Sequence, residues 1–381
     1  MSYVELHAHS AYSFLDGASQ PEELAARAAE LGYTALALTD HDGVYGSLEF
    51  AHAAKHLGVR PITGAELTLD SGVGSTEPPR SGGAGFAGAG AGTGAHITLL
   101  VETSQGYANL CRLVTAAHSR TRPKEGREPL PPSLDPALLE ELHEGLVCLS
   151  GCARHGLAVR DPNAAARLAG VFGRDRFFVE LQRPYERGDA RRNAALRELA
   201  DALHVATIAT GDAHAHDARR AVLQDVRVAI RCRTSLDGCE RERRGNHECV
   251  LAAPADMLER FPDDRDAVAR TVELAERLAF DLTEELGYRY PDFSDGDEPA
   301  IVQLRRVCER AFAERYRPSN KLSLGKMRRR LEEELALIGD LGLAGFFLLH
   351  WEVLELAREV ALEVRGPGSM RHVLPPGRGR G

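Results

Sequence analysis

Short apolar runs alternate with amphipathic stretches through the first two-thirds of the chain. The runs at residues 3–9, 35–41, 60–67, 96–101, 146–152, 176–181 and 205–210 read as strands, being short, aliphatic and bounded by turn residues. Between them, residues 21–31, 45–57, 106–118, 137–142 and 189–203 carry helical patterns. Ser19 is the candidate N-cap of the first helix, Gly32 lies just past its end, and Gly58 stops the second. Helices are also expected over 255–260 and 265–280. Strands alternating with helices predict a parallel sheet. Seven such strands in roughly 250 residues suit an α/β barrel close to the (β/α)8 size.

Two stretches break the pattern. Residues 71–95 are rich in Gly, Ala and Ser and read as a surface insertion between strands. Residues 123–136 form a proline-rich loop. After Tyr290-Pro291-Asp292-Phe293 the chain becomes helical and charged, over 302–315, 324–341 and 346–360. The expected division is a barrel over 1–285 and, over 286–381, the opening of a mostly helical second domain that this chain does not complete.

The 381 residues are 43% hydrophobic and 27% charged, with no long apolar run and no leader-like start, which predicts a soluble protein with no membrane partner. The net charge of −9 argues against a free-standing DNA clamp. The basic clusters at 241–244 and 328–330 read as solvated faces. Seven cysteines without a C-x-x-C pair exclude a disulfide framework and a zinc ribbon, and point to a reducing cytoplasm.

The candidate chemistry lies at the strand ends. His7 and His9 alternate on one face of the first strand. Asp16 lies in the loop after it. His41, Glu66 and Cys152 close later strands, and Asp212-Ala213-His214 repeats the spacing of the first pair. His96 is the exception, at the start of the fourth strand. In a parallel barrel, functional groups gather at the C-terminal ends of the strands. Nitrogen, sulfur and carboxylate donors together suit zinc, and to a lesser degree manganese or iron. Nine donors exceed the need of one tetrahedral ion, so two or three ions are expected. Such clusters activate water and clamp phosphoryl oxygens, which implies phosphoester hydrolysis. Singly, each residue has a plainer role: Asp16 could shape its Asp-Gly turn, Cys152 could be a small buried hydrophobe, Glu66 could pair with a cation, and His96 could sit in the core. Asp40 and Asp42 read as loop caps or supports, and Glu180 and Gln182 as neighbours of the mouth without direct ligation.

His7-x-His9, Thr39-Asp40-His41-Asp42, Gly64-Ala65-Glu66 and Gly211-Asp212-x-His214 resemble the four motifs of the PHP (polymerase and histidinol phosphatase) superfamily. The resemblance implies a distorted (β/α)7 barrel with up to three ions, Zn2+ or Mn2+. It implies His7, His9, Glu66 and Asp212 for one ion, Glu66, His96 and Cys152 for a second, and Asp16, His41 and His214 for a third. Asp16, Asp212 and His214 are the expected catalytic groups. His96 then belongs at the barrel mouth, so the boundary of the fourth strand is expected to be displaced. Asp16 and Cys152 stand where phosphatase members often have histidine.

A narrower resemblance is to bacterial C-family DNA polymerases, in particular their error-prone, translesion branch. Glu5-Leu6-His7-Ala8-His9-Ser10, the 13–19 segment, Leu341-Gly342-Leu343-Ala344-Gly345-Phe346-Phe347-Leu348 and the terminal Gly377-Arg378-Gly379-Arg380-Gly381 carry it. It implies DNA at a primer terminus as substrate, possible 3′–5′ exonuclease action, and translesion factors and a sliding clamp as partners. The palm aspartates of this family, which use Mg2+, are expected beyond the last residue, so this chain is not expected to synthesise DNA. The alternatives are a free-standing phosphatase for a small phosphomonoester such as histidinol phosphate, or a metal-stabilised scaffold without chemistry.

Overall fold

The computed structural model describes residues 2–70, 94–122, 129–286, 298–315 and 321–366. Most of the Gly-rich insertion, Tyr290-Pro291-Asp292-Phe293 and Gly377–Gly381 lie outside the described residues. The chain divides into two compact units, Met1–Leu286 and Gly287–Gly381.

The first unit runs α1 (Pro21–Glu30), β1 (Ala35–Leu38), α2 (Ser47–His56), β2 (Arg60–Thr68), β3 (His96–Val101), α3 (Ser104–His118), α4 (Leu138–Leu142) and β4 (Leu146–Leu149). It continues with α5 (Leu157–Arg160), α6 (Pro162–Phe172), β5 (Phe177–Gln182), α7 (Asp189–Leu203), β6 (Ala206–Thr210), α8 (Ala218–Cys232), α9 (Pro254–Arg260) and α10 (Arg265–Arg277). The six strands form one curled sheet, a half-barrel, in the order β1-β2-β3-β4-β5-β6. The N-terminal segment is buried and extended but forms only two isolated parallel bridges, Glu5 to Leu36 beside β1 and Ala8 to Ala213 beyond β6. It therefore spans the gap between the two edges of the sheet.

The expectation of a wholly parallel sheet fails at β3. This strand pairs antiparallel with both β2 and β4, while β1-β2, β4-β5 and β5-β6 are parallel. The Gly-rich insertion lies between β2 and β3, and an antiparallel pair, unlike a parallel one, needs no crossover connection. The reversal also corrects the expected boundary shift: the fourth predicted strand starts at His96 as the pattern indicates, and its reversed direction brings that start to the mouth.

Two further differences are local. Gln20, not Ser19, occupies the N-cap of α1; the Gln20 backbone N–H donates to Glu23 at 2.8 Å. Ser19 is buried and accepts from the His216 backbone N–H at 2.9 Å. Helices α6 and α8 were not expected from the pattern. Each starts at an aspartate that accepts a backbone N–H three residues on, Asp161 from Ala164 and Asp217 from Arg220.

Within the curl, same-face residues change character along each strand. Ile62, Leu100, Phe178 and Ile208 form an apolar floor with Val4, Leu6, Leu274 and Leu278, the last two supplied by α10 and its end. Two or four positions along the same strands stand Glu66, Thr98, Glu180 and Thr210, buried and polar. A larger apolar layer, including Leu36, Leu38, Ile97, Leu99, Phe177 and Val179, packs the outer face against the helices.

The second unit contains α11 (Ala300–Arg315), α12 (Lys321–Asp340) and α13 (Ala344–Arg365). Its core is small, with Leu304, Leu335, Ala344 and Leu348 buried together. Gly342 turns α12 into α13 at a φ of 65°, a left-handed conformation that suits glycine. Phe347, Val353 and Leu356 of α13 are exposed. Among the described residues no single helix is long and apolar enough to cross a membrane.

Candidate metal centre

All nine predicted donors are buried, and they converge at one end of the curled sheet. The His7 and His9 rings are 5.0 Å apart, and His9 stacks on His41 at 4.3 Å. Three clusters bring donor atoms within 4.8 Å of one another: His7, His9 and Glu66; His41, Glu66 and His96; and His9, His41 and His214. Asp212 Oδ1 joins the first at 3.4 Å from His9 Nε2 and 3.8 Å from His7 Nε2. Asp16 Oδ2 lies 3.0 Å from His41 Nε2 and 3.1 Å from His214 Nε2. Cys152 lines the same pocket but belongs to none of the three clusters.

Backbone geometry fixes several of these groups. Asp212 adopts a φ of 52° and Asp42 a φ of 48°, uncommon for residues with a side chain. A Cβ on Gly17 would stand 1.8 Å from the Ser10 carbonyl oxygen, so the Asp16 loop folds against the N-terminal segment only with glycine there. Asp40 accepts from the Ser10 N–H at 2.6 Å and from Ser13 Oγ at 2.7 Å, and Asp42 accepts from the Thr68 N–H at 2.8 Å. Both thus brace the loops that carry the donors. Behind His7, its Nδ1 donates to Glu180 at 2.7 Å, which turns Nε2 toward the cluster. Gln182 in turn donates to Glu180 at 2.8 Å.

The electrostatics follow from stacking carboxylates and imidazoles out of water. Burial raises the Glu66, Asp16 and Asp212 carboxyls, but their histidine and arginine neighbours outweigh it and hold all three well below the ordinary range. Burial also lowers His41, yet Glu66 and Asp16 overcome it and bring its pKa up to about 10. His9 moves the other way, pushed well down by burial and by His214 and His41. Burial raises the Cys152 thiol, and so do the charges of Glu66 and Asp212. The cage therefore attracts positive charge, which protons supply when nothing else does.

Several buried polar atoms make no well-formed hydrogen bond: His9 Nε2, His96 Nε2, Asp212 Oδ1 and Glu66 Oε2, the last 3.0 Å from His41 Nδ1. An unpaired buried polar atom costs about 1–3 kcal/mol, so four at one place require an explanation. His9 Nε2 stands 3.4 Å from both Glu66 Oε2 and Asp212 Oδ1. Ligands about 2.0–2.1 Å from a tetrahedral ion are separated by roughly 3.3 Å. The donor set and its spacing thus fit a divalent cation. The pocket leaves about 50 Å³ of space. A water needs about 10–15 Å³ on that scale, so there is room for a few ions or waters and none for a nucleotide.

Besides Arg154, Val228 and Glu242, which line the pocket, three residues that the sequence pattern did not mark lie against its donors. Arg244 reaches into the cage, donating from Nη1 to Asp212 Oδ2 at 2.8 Å and from Nη2 to His214 Nε2 at 2.7 Å. The solvated reading of the 241–244 cluster is therefore wrong for Arg244, whose side chain is 13% exposed. Arg231, on α8, lies 3.4 Å from Asp16 Oδ1. His155 donates its backbone N–H to Cys152 Sγ at 3.4 Å, and its ring lies 5.2 Å from His96. Only His155 had a sequence signal, three residues after Cys152.

Residues 5–184 match the PHP domain family. The chain is 36% identical over 390 aligned residues to the error-prone DNA polymerase of Symbiobacterium thermophilum, covering 97% of this chain and 33% of that protein. The chain carries a PHP domain and is a relative of the error-prone DNA polymerases. A second such polymerase, from Cutibacterium acnes, is 37% identical over 377 residues, 96% of this chain and 31% of the relative. The chain spans about a third of the length of these curated relatives. Among solved structures, a provisionally assigned metal-dependent phosphoesterase from Bifidobacterium adolescentis shares 14% identity and a TM-score of 0.39, over 56% of this chain and 88% of the other. The PHP match covers β1 to β5, and it ends before Asp212 and His214.

Proposed function

We propose that the mouth of the PHP domain is a multi-ion phosphodiesterase centre acting on DNA ends. The buried atoms of His9, Glu66, His96 and Asp212 that make no well-formed hydrogen bond carry this reading, because those around His9 Nε2 stand at the spacing of donors about a shared cation. His7, His9, Glu66 and Asp212 would hold one ion, and Glu66, His96 and Cys152 a second, with His41 beside them. Asp16, His41 and His214 would form a third position. When bound, such ions supply Lewis-acid polarisation of a phosphoryl oxygen and a water nucleophile near neutral pH. Zinc suits the nitrogen and sulfur donors, and manganese the carboxylate-rich first group.

The chain's own groups then have distinct tasks. Glu180 and Gln182 orient His7. In this reading Asp16 and Asp212 would accept the proton leaving an attacking water, and His214 stands beside both, with Nε2 3.1 Å from Asp16 Oδ2 and Nδ1 donating to the Asp212 carbonyl at 2.9 Å. Arg154 and Arg231 line the same pocket and would offer donors to a phosphodiester in exchange for their present partners, Glu186 and Asp16. With about 50 Å³ inside, the nucleotide stays outside and presents only its phosphate. The likeness to error-prone DNA polymerases supports DNA over a small phosphomonoester as substrate, and this proposal adds a 3′ primer terminus, with translesion factors and a sliding clamp as partners of a longer protein. DNA synthesis is not assigned to these residues.

The test is hydrolysis of single-stranded DNA against histidinol phosphate, each with added zinc or manganese. The wild type is expected to shorten DNA from its 3′ end and to leave histidinol phosphate intact. His9→Ala and Asp212→Ala should lose the metal and at least about a hundredfold in rate, since losing even a supporting partner costs about 10–100-fold. Undiminished DNA cleavage by both variants would remove the site. Preference for histidinol phosphate would make the domain a phosphatase, and bound metal without hydrolysis would make it a scaffold.

A further inference from the structure

One lone pair in the cage has two claimants. His214 Nδ1 lies 2.9 Å from the Asp212 carbonyl oxygen, which can only accept, so Nδ1 carries the proton and Nε2 the lone pair. Arg244 Nη2 takes that lone pair at 2.7 Å. The same guanidinium donates to Asp212 Oδ2 at 2.8 Å and to Cys249 Sγ at 3.4 Å, so it is held from three sides. Asp16 Oδ2 stands 3.1 Å from the same Nε2, and two electron-rich atoms at that separation call for a cation between or beside them. Arg231, 3.4 Å from Asp16 Oδ1, adds a second fixed positive charge.

We infer that Arg244 is a built-in competitor for one metal position, the one formed by Asp16, His41 and His214. While the guanidinium holds His214, that position lacks one of its donors, and the cage takes one ion fewer than its donor count allows. Charge supports the same count. The carboxylates of Asp16, Glu66 and Asp212 are already partly balanced by the two arginines, so a full set of three dications would leave the cage strongly positive. The ion shared by His7, His9, Glu66 and Asp212 is less affected, because Arg244 uses Asp212 Oδ2 and leaves Oδ1 free. The inference rests on the metal-centre reading proposed above.

The experiment counts ions per chain by elemental analysis after equilibration at fixed free zinc, and then by calorimetric titration. Arg244→Gln is expected to hold one more ion than the wild type, with the earlier binding steps within about threefold in affinity. Equal counts would overturn the inference while leaving the cage intact. No ions in either protein would remove the cage itself and the inference with it. Should Arg244→Gln fail to fold, 15N-histidine labelling of the wild type decides the matter. His214 Nε2 should stay unshifted through every zinc equivalent that the wild type binds, and a shift with any of them would overturn the proposal.

Discussion

The two ends of the curled sheet use the same strands for opposite purposes. At the floor, Ile62, Leu100, Phe178 and Ile208 meet Leu274 and Leu278 and bury only carbon. At the mouth, Glu66, Thr98, Glu180 and Thr210 are equally buried but polar, and several of their neighbours lack partners. The floor gains free energy from burial at about 25 cal/mol per Å². The mouth carries desolvated charge, which costs free energy unless it is paired or bound to a cation. Stability and chemistry are therefore divided along the strand axis, and substitutions at the two ends should have separable effects.

The largest effect on stability is expected from the floor. Leu274→Ala removes a buried side chain where α10 seals the curl, and should cost about 2–5 kcal/mol of unfolding free energy. Denaturant unfolding measures this. The metal bound per folded chain should be unchanged, because no donor lies on α10. A matching loss of metal in the folded fraction would mean that floor and mouth are not separable.

The converse test is Glu180→Gln. The amide keeps the shape and contacts of the carboxylate but no longer holds the charge behind His7 Nδ1. Metal affinity should fall about 10–100-fold, as for other partners of metal-bound histidine. Thermal stability of the metal-free protein should move by less than about 1 kcal/mol, since Glu180 Oε2 is a buried atom with no partner to lose. Unaltered affinity, measured by competition with a chelator, would show that His7 needs no orienting carboxylate.

This division was partly legible in the chain. In β2, β5 and β6 the apolar residue comes first and the polar one follows: Ile62 then Glu66, Phe178 then Glu180, Ile208 then Thr210. In β3 the order is inverted, with His96 and Thr98 before Leu100, and this is the signature of a strand running the other way. Reading His96 as a misplaced boundary missed it, because helix-strand alternation was assumed to persist across the insertion. Helix α6 had a start signal in Asp161-Pro162 and a stop in Gly173, whose φ is 77°. Arg244 and Arg231 gave no such signal. Their spacing from the donors has no period, an arginine in a basic cluster is normally solvated, and only the folded loop and α8 bring them to Asp212 and Asp16.

The smallest expected effect lies at the far side of the floor, and it sharpens the contrast with the mouth. Because β3 runs backward, Glu102 at its end is carried away from the cage. There it meets Arg176 Nε at 2.9 Å and Arg277 Nη2 at 2.8 Å, joining β3 to the approach to β5 and to α10. Burial raises this carboxyl, but bonds to Arg277 and Arg176 outweigh it and hold it below its ordinary value of 4.5. A carboxyl depressed in the folded state contributes stability that is fully present above the unfolded pKa and disappears as pH falls through the folded one. Comparing wild type with Glu102→Gln isolates this contribution, since the cage titrates alike in both. The difference in unfolding free energy should be at most about 1 kcal/mol near pH 7, because both arginines are partly solvated. It should start to shrink as pH falls below the ordinary value of 4.5, reach zero only below the depressed folded value, and shrink also at about 1 M salt. A difference that persists in acid would mean that Glu102 stabilises by packing and not by charge.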